Sequence, residues 1–589
     1  MTLSDLDALL TELRAFGTDH ATIEAKRAKA GLPETTHETL SAFANAEGGC
    51  LLLGVDEAGG TFPVTGVDDP RQVLSDLQSL CSLMEPPLRP QLDLLAHPDG
   101  AVVSAWIAPV PRDRRPCHRR PDGPTTSSFV RVGDADQRLT PTEVAALLTS
   151  TSGHDHSSAP APPEGEIDDA ASAEFVARLR SESPRYRDVP ADTLLHQWGA
   201  TTSNGRPTLA GLLHLGTAPQ RHSAAARVTY RRLPRPGDPA GTRFSGRHLE
   251  GTVGELLDDV LDAVRADLTT VQVVDGGAVR DDTDVPLEAL RELLSNALVH
   301  RSLAPTERDS SVLVEVDQDA VTIVSPGCLH GSADTSSLGL ASIAGVRNLC
   351  LVRLGERLRT PSGARIVEHQ TSGIAAADRA CHRRGTAPAL FLDRAASFQA
   401  TLLRGPLPTA GAHNLLSSTR ASVSEDGRRL VALALRLRRL RESIAGSALP
   451  ATILDAHLAA RALAPSTVED AAVELRALED AGVLRRSRIR RYPAWELVSG
   501  ESEVPQPRSR GRASRVPDVV AALRGAPQAT LTAKQIGEAL GLTSPTSRNR
   551  WLRRAEDDGL IEYTGDNPFD PTGAYRLTAK GRLYRARGT

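Results

Sequence analysis

The chain has 589 residues, 40% apolar and 24% charged, with aromatics at only 3% and a formal net charge of −4. That length asks for several domains, and that balance suits soluble globular folds while excluding a uniformly basic nucleic-acid coat. No run of 18 apolar residues occurs and the N-terminal MTLSDLDALLTELRAF reads as an amphipathic helix rather than a signal peptide, so no membrane partner is expected and a cytoplasmic location is.

Six scattered cysteines form no C-x-x-C pair, which argues against a zinc site or a disulfide framework. Lysine stands only at Lys26, Lys29, Lys534 and Lys580 in a chain where arginine is the default cation, so the ammonium kept at Lys26 is informative.

Residues 1–150 alternate helix and strand signals. In HETLSAFANAEGGCLLLGVD, residues 37–56, Leu40, Phe43 and Ala44 share a helical face, and Gly48 and Gly49 end that helix. Residues 50–53 are then a continuous apolar run, as in a strand covered on both faces, and Asp56 and Glu57 leave it toward a prospective ligand. A helix over 73–80, strands over 92–95, 102–107 and 129–132, and a helix over 141–148 follow. Between the last two strands, PVPRDRRPCHRRPDGP is too proline-rich for a central strand; it reads as a solvated loop or as a basic arm for phosphates.

The run SAFANAEGGCLLLGVDE, with IEAK at 23–26 ahead of it and FVRVG at 129–133 behind, resembles the signature of the Schlafen AlbA-type domain, an α/β nucleic-acid-binding module. The resemblance implies that Glu24, Lys26 and Arg131 contact nucleic acid. Some domains of that family cleave RNA with clustered carboxylates and a metal. A metal-dependent nuclease is therefore an alternative, with Asp19, Glu24 and Asp56 as its metal set.

Residues 151–166, TSGHDHSSAPAPPEGE, read as a flexible linker. Beyond it come a helix start at 207–216, a strand over 227–231 and a long helical pattern over 249–268. The next helix, 286–300, places Leu287, Leu290, Leu294 and Leu298 on its apolar side, and Glu292 and Asn296, four apart, on another. A hairpin over 312–316 and 320–324 ends at Ser325-Pro326-Gly327; GVRN and HQTSGI follow. A carboxylate and an amide on one helix face suit a magnesium–triphosphate site, or form an ordinary solvent-facing polar stripe.

LRELLSNALVHR, VSPGCL, TSGI, APALF and PTLAGLLHLGTAPQ together resemble the GHKL-type ATP-binding domain, a Bergerat-type α/β sandwich, of bacterial transcriptional regulators that also carry the Schlafen AlbA-type domain. Over 167–405 this implies ATP and magnesium as cofactors. Glu292 would be the general base and Asn296 the magnesium ligand. Ser325 and Gly327 would border the adenine pocket, and Ser372 and Gly373 would approach the phosphates. Ser325 replaces the family's Asn or Asp, while Cys328 and Thr371 replace glycines. A hydroxyl cannot reproduce a carboxylate's charge-assisted bond, so these departures argue for weak or lost nucleotide binding.

Residues 416–500 and 516–589 each look like a winged helix, joined by a basic linker at 501–515. The first shows helices at 451–458 and 466–481 and a basic hairpin. In the second, a helix over 532–540, a glycine-containing turn and a helix over 545–558 have helix-turn-helix spacing. Arg548, Asn549 and Arg550 fall where base edges are read. Residues 501–589 hold 15 Lys/Arg against 10 Asp/Glu, a local basic footprint. The expectation is a multidomain α+β protein, homo-oligomeric, that binds ATP and DNA (or RNA) as a transcriptional regulator. A nuclease and a scaffold with a degenerate nucleotide site are its alternatives.

Overall fold

The computed structural model describes residues 1–16, 22–57, 60–132, 135–150, 154–235, 238, 245–275, 278–305, 307, 309–331, 333–340, 346–368, 373–417, 423–443, 454–487, 494–498, 516–524, 526, 530–540, 552, 555–556, 560–564, 574–578, 580 and 582. They divide into two units, Met1–Val498 and Ser499–Thr589.

At the N-terminal end of the first unit, four strands lie in the order Ile23–Lys26, Gly49–Leu53, Gly100–Ile107 and Gln91–His97. The first two are parallel, with Ile23 beside Cys50, and the remaining pairs antiparallel. Every residue of Gly49–Leu53 is buried. Leu51 and Leu53 pack with the Thr36–Asn45 and Pro70–Leu83 helices, and Cys50 and Leu52 with the Leu3–Phe16 helix. The two glycines before the strand are steric requirements. Gly48 has φ +85°, and a Cβ there would meet the Ile107 carbonyl at 2.7 Å; one at Gly49 would stand 2.5 Å from the Phe43 ring. Buried Asn45 locks the end of the helix by donating to the Cys117 and Phe129 carbonyls and accepting from the Cys117 N–H.

A six-stranded mixed sheet forms the centre. Its order is Ser245–Glu250, Arg227–Arg232, Val312–Val316, Ala320–Pro326, Ser397–Leu403, Leu390–Asp393. Val228, Val314, Ile323 and Leu402 share a core with the Val253–Asp267, Leu287–Val299 and Gly373–Arg383 helices. Ala320, Leu390 and Leu403 join instead the core of the module that follows. The helical pattern over 249–268 starts later than expected. Leu249 belongs to the strand Ser245–Glu250, and a capping box between Thr252 and Glu255 starts the helix at Val253.

Residues 154–166 are docked, contrary to the flexible tract expected. The Asp155 carboxylate accepts from the Cys350 N–H and the Ser157 hydroxyl from the Leu351 N–H, which caps the Leu349–Gly355 helix.

The module after the sheet runs helix Glu425–Ser443, strand Leu454–Asp455, helices Ala456–Ala462 and Val468–Asp480, then strands Leu484–Ser487 and Ala494–Leu497. The helix expected at 451–458 is shifted. Leu454 and Asp455 pair with Trp495 and Ala494, and the Asp455 side chain caps a helix that begins at Ala456.

In the second unit, Thr530–Thr532, Ala574–Leu577 and Ile561–Tyr563 form a sheet in that order. Val519, Leu523 and Ile536 of the Val516–Arg524 and Ala533–Ala539 helices share its core. The turn 541–544, the basic linker 501–515, and Arg548, Asn549 and Arg550 lie outside the described residues. No helix among the described residues is long and apolar enough to cross a membrane.

Candidate functional site

The Leu287–Val299 helix buries Leu290, Leu293 and Leu294 against the central core, which leaves Glu292 and Asn296 half-buried on another side. Asn296 Nδ2 donates to Glu292 Oε1 at 3.3 Å. Glu292 lines a cleft of about 580 Å³ together with Asp258, Arg265, Arg291, Arg365 and Glu368. Burial and the neighbouring Glu368 carboxylate push the Glu292 carboxyl above its ordinary pKa, against the opposing pull of Arg291 and of the Asn296 bond. Gly373, the first residue of the Gly373–Arg383 helix, abuts this carboxylate: a Cβ there would overlap Glu292 Oε1. Only glycine lets the helix N-terminus, whose first N–H groups have no intrahelical partner, come so close. A cleft of this size accommodates a mononucleotide. A carboxylate and an amide beside a helix N-terminus fit a hydrated magnesium ion and phosphate oxygens. Thr371 and Ser372 lie outside the described residues.

Ser325 and Gly327 occupy a different place. The Ser325 hydroxyl is buried and donates to the Ala297 carbonyl at 3.0 Å. Gly327 has φ +88°, and Arg347 lies where its Cβ would stand. The space left there is about 10 Å³, room for no more than one water. Arg347 Nη2 donates to the Cys328 carbonyl at 2.6 Å. The Cys328 side chain packs with Val144 and Leu147 of the Pro141–Ser150 helix. Next to it, Arg112 pairs with Asp393 and donates to the Leu329 carbonyl at 3.1 Å. The end of this strand is therefore a closed joint between the N-terminal domain and the central sheet, where an open adenine pocket was expected. Sequence reasoning missed Arg112, Asp393 and the packing role of Cys328; the cysteine in place of a glycine was the only signal.

In the N-terminal domain, Glu24, Lys26 and Arg131 do converge, but as an internal network. Arg131 Nη1 stands 2.8 Å from both Glu24 and Asp136, and its side chain is 2% exposed. Its Nη2 donates to the Ile23 carbonyl at 3.2 Å, and its guanidinium lies 5.4 Å over the Phe43 ring. Burial disfavours the Arg131 charge, yet Glu24 and Asp136 outweigh that and raise its pKa. Lys26 Nζ pairs with the other Glu24 oxygen at 2.9 Å. Arg27, next to Lys26 in the chain, is 63% exposed and lies 3.9 Å from Asp56. Asp19 lies outside the described residues, and no group of three or more His, Cys, Asp or Glu among the described ones is arranged to hold a metal.

The basic arm at 109–124 is largely folded back on the protein. Arg115 donates to the Val110, Asn45 and Ala46 carbonyls, Arg119 pairs with Asp122, and Arg120 with Glu85.

Residues 19–140 match the family model described as Schlafen, AlbA_2, and residues 309–402 the one described as Putative ATP-dependent DNA helicase recG C-terminal. The second match begins after the helix that carries Glu292 and Asn296. Among solved structures, the DIP2311 protein from Corynebacterium diphtheriae is 20% identical, with a TM-score of 0.34, over 84% of this chain and 97% of its own. The N-terminal domain of a putative ATP-dependent DNA helicase RecG-related protein from Nitrosomonas europaea is 32% identical over 23% of this chain and 92% of its own, with a TM-score of 0.19. No curated protein matches the chain.

Proposed function

We propose, from the matches of residues 19–140 to the Schlafen, AlbA_2 model and of residues 309–402 to the recG C-terminal, ATPase-like model, that the chain is an ATP-responsive, DNA-binding transcriptional regulator of the cytoplasm. The observation that carries this reading is the contact of Asn296 and Gly373 with Glu292, which lines the cleft, in a chain that also holds a nucleic-acid-binding type of domain. Helices on one face of a mixed sheet, with a Glu–Asn pair on one of them, support a GHKL-like domain.

Bound magnesium would neutralise phosphate charge in the cleft. Asn296 would hold it, and Glu292, with its basicity raised by burial, would orient and deprotonate water. Nucleotide binding, and with it hydrolysis, would be weak, because Ser325 faces inward and does not read the base.

The order helix, strand, helix, helix, strand, strand over 425–497 supports a winged helix there, and the last unit has the same lateral order of strands. The two do not suit the same partner. The Val468–Asp480 helix carries Glu469, Asp470, Glu474, Glu479 and Asp480 against Arg476 alone, and that charge repels phosphates. DNA contact is assigned to 516–589, with Arg548, Asn549 and Arg550 as the base-reading residues, to the exposed Arg27 of the N-terminal domain and to Lys26, which keeps partial exposure at the edge of the Glu24 network. Arg131 serves as the internal support of that face.

The test is fluorescence anisotropy of labelled duplex DNA with the full chain, across salt concentrations, with and without a non-hydrolysable ATP analogue and magnesium. The reading expects affinity that falls with salt and changes with nucleotide. Absence of DNA binding overturns it. Salt-dependent binding indifferent to nucleotide favours a second reading, a DNA-binding scaffold whose nucleotide site has lapsed, which the inward-facing Ser325 and the Arg347 plug support.

A further inference from the structure

We infer that Arg461, a residue of the module after the central sheet, is a positioning residue for the Glu292 cleft, acting through Asp378 and the Gly373–Arg383 helix. The inference rests on the nucleotide reading of that cleft.

The helix that begins against Glu292 is held from its other side. Arg461 Nε and Nη2 each donate to one oxygen of the Asp378 carboxylate at 2.8 Å. The side chains are 5% and 2% exposed. Arg461 also lies 4.3 Å over the Phe391 ring. Two parallel bonds fix orientation as well as distance, which a single ammonium could not do. Asp378 follows Gly373 by five residues, roughly 7–8 Å along the axis at 1.5 Å per residue, so the clamp grips the helix within two turns of its start.

Neighbouring contacts define the same seam. His382 Nδ1 lies 3.0 Å from the Ala462 carbonyl. Arg429 donates to that carbonyl at 2.7 Å and to the Thr386 carbonyl at 2.9 Å. On the same side as the clamp, a Cβ at Gly339, where φ is +79°, would stand 3.0 Å from both Asp378 Oδ2 and Ile374 Cγ2 and 3.6 Å from Arg461 Nε. The helix has no spare room on that side.

A buried ion pair of this kind is weak as a source of stability and strong as a fixer of register, because removing one partner strands a charge that must find water. To hydrate Asp378 the helix has to move, and its first residue moves with it. Gly373 has no side chain to hold it against Glu292, so its approach depends wholly on where the helix axis lies. The helix that abuts Glu292 is therefore held by a module outside the ATPase-like match, and reciprocity requires nucleotide occupancy to act back on that module.

The test uses the full chain as wild type, as Arg461→Met, and as Asp378→Leu with Arg461→Met, which removes both charges and leaves no stranded carboxylate. Hydrogen exchange by mass spectrometry is read without nucleotide, and affinity for an ATP analogue with magnesium by calorimetry. Arg461→Met is expected to speed exchange in 373–383 and 287–299, to leave the strands at 23–53 unchanged, and to weaken nucleotide affinity roughly tenfold. The double substitution restores both readings. Unchanged exchange at 373–383 in Arg461→Met, or a lowered melting temperature with unaltered affinity, overturns the inference. If wild type binds no nucleotide, the reading of the cleft fails, and the exchange at 373–383 still decides whether Arg461 controls that helix.

Discussion

The Ser325 hydroxyl bonds to the Ala297 carbonyl, and so ties the end of a central strand to the very helix that carries Glu292 and Asn296. The side chain faces inward and is spent on joining two layers rather than on meeting a base. Ser325→Ala is expected to cost about 1 kcal/mol of stability and to leave nucleotide affinity unchanged. Urea denaturation and calorimetry measure the two; a sharp loss of affinity at near wild-type stability would return Ser325 to base recognition.

Arg131 is expected to behave as a structural residue. Arg131→Ala strands Glu24 and Asp136, which are 12% and 10% exposed, and should lower stability by about 3–5 kcal/mol. Arg27→Ala should leave the melting temperature alone and weaken DNA binding with a shallower salt slope. If Arg131→Ala instead melts like wild type while losing DNA, the buried network is not what holds this domain.

The joint at Cys328 makes a third prediction. Arg112 and Asp393 are 10% and 7% exposed, so Arg112→Ala leaves the buried Asp393 carboxylate without its cation, keeping the Leu329 N–H bond, at a cost of about 3 kcal/mol. The N-terminal domain should then loosen from the central sheet, and trypsin should cut faster within 109–124. Unchanged cleavage would mean that the Cys328 packing holds the joint alone.

Two groups, buried His214 and half-buried Glu292, give stability opposite pH dependences. His214 is buried, with Nε2 2.8 Å from the Leu351 carbonyl, and burial pushes its pKa down to about 4 from 6.5. The folded pKa lies below the unfolded one, so this contribution is intact above pH 6.5 and is lost as pH falls toward 4. His214→Asn should flatten the melting temperature across that window. Glu292 has the opposite sign. Its folded pKa is raised, so its ionisation destabilises the fold as pH rises above the ordinary carboxylate range. Glu292→Gln should gain stability relative to wild type as pH increases while losing any hydrolysis. A Gln variant less stable than wild type at neutral pH would contradict that sign.

Local pattern made some of this legible. Gly49–Leu53 could be read as a doubly covered strand because an uninterrupted apolar run has no polar face to turn to water. Glu292 and Asn296 share a side because four residues make about one helical turn. Boundaries slipped where a cap outweighed periodicity: Thr252 starts a helix inside an apolar pattern, and Asp455 does the same after a two-residue strand. The partners of charged side chains were not legible at all. Nothing near Arg131 in the chain distinguishes an ion-network hub from a phosphate contact, and Asp378 and Arg461 are 83 positions apart. Such pairs are set by how layers stack, which no local period encodes.

The central claim is that nucleotide occupies the cleft beside Glu292 and is held there by Asn296. Isothermal titration of the full chain with a non-hydrolysable ATP analogue and magnesium, on wild type and Asn296→Ala, tests it most directly. The account expects a saturable, magnesium-dependent heat in wild type that weakens at least about tenfold, roughly the loss of one good ligand bond, in Asn296→Ala. No heat in wild type, or equal affinity in both proteins, would contradict it.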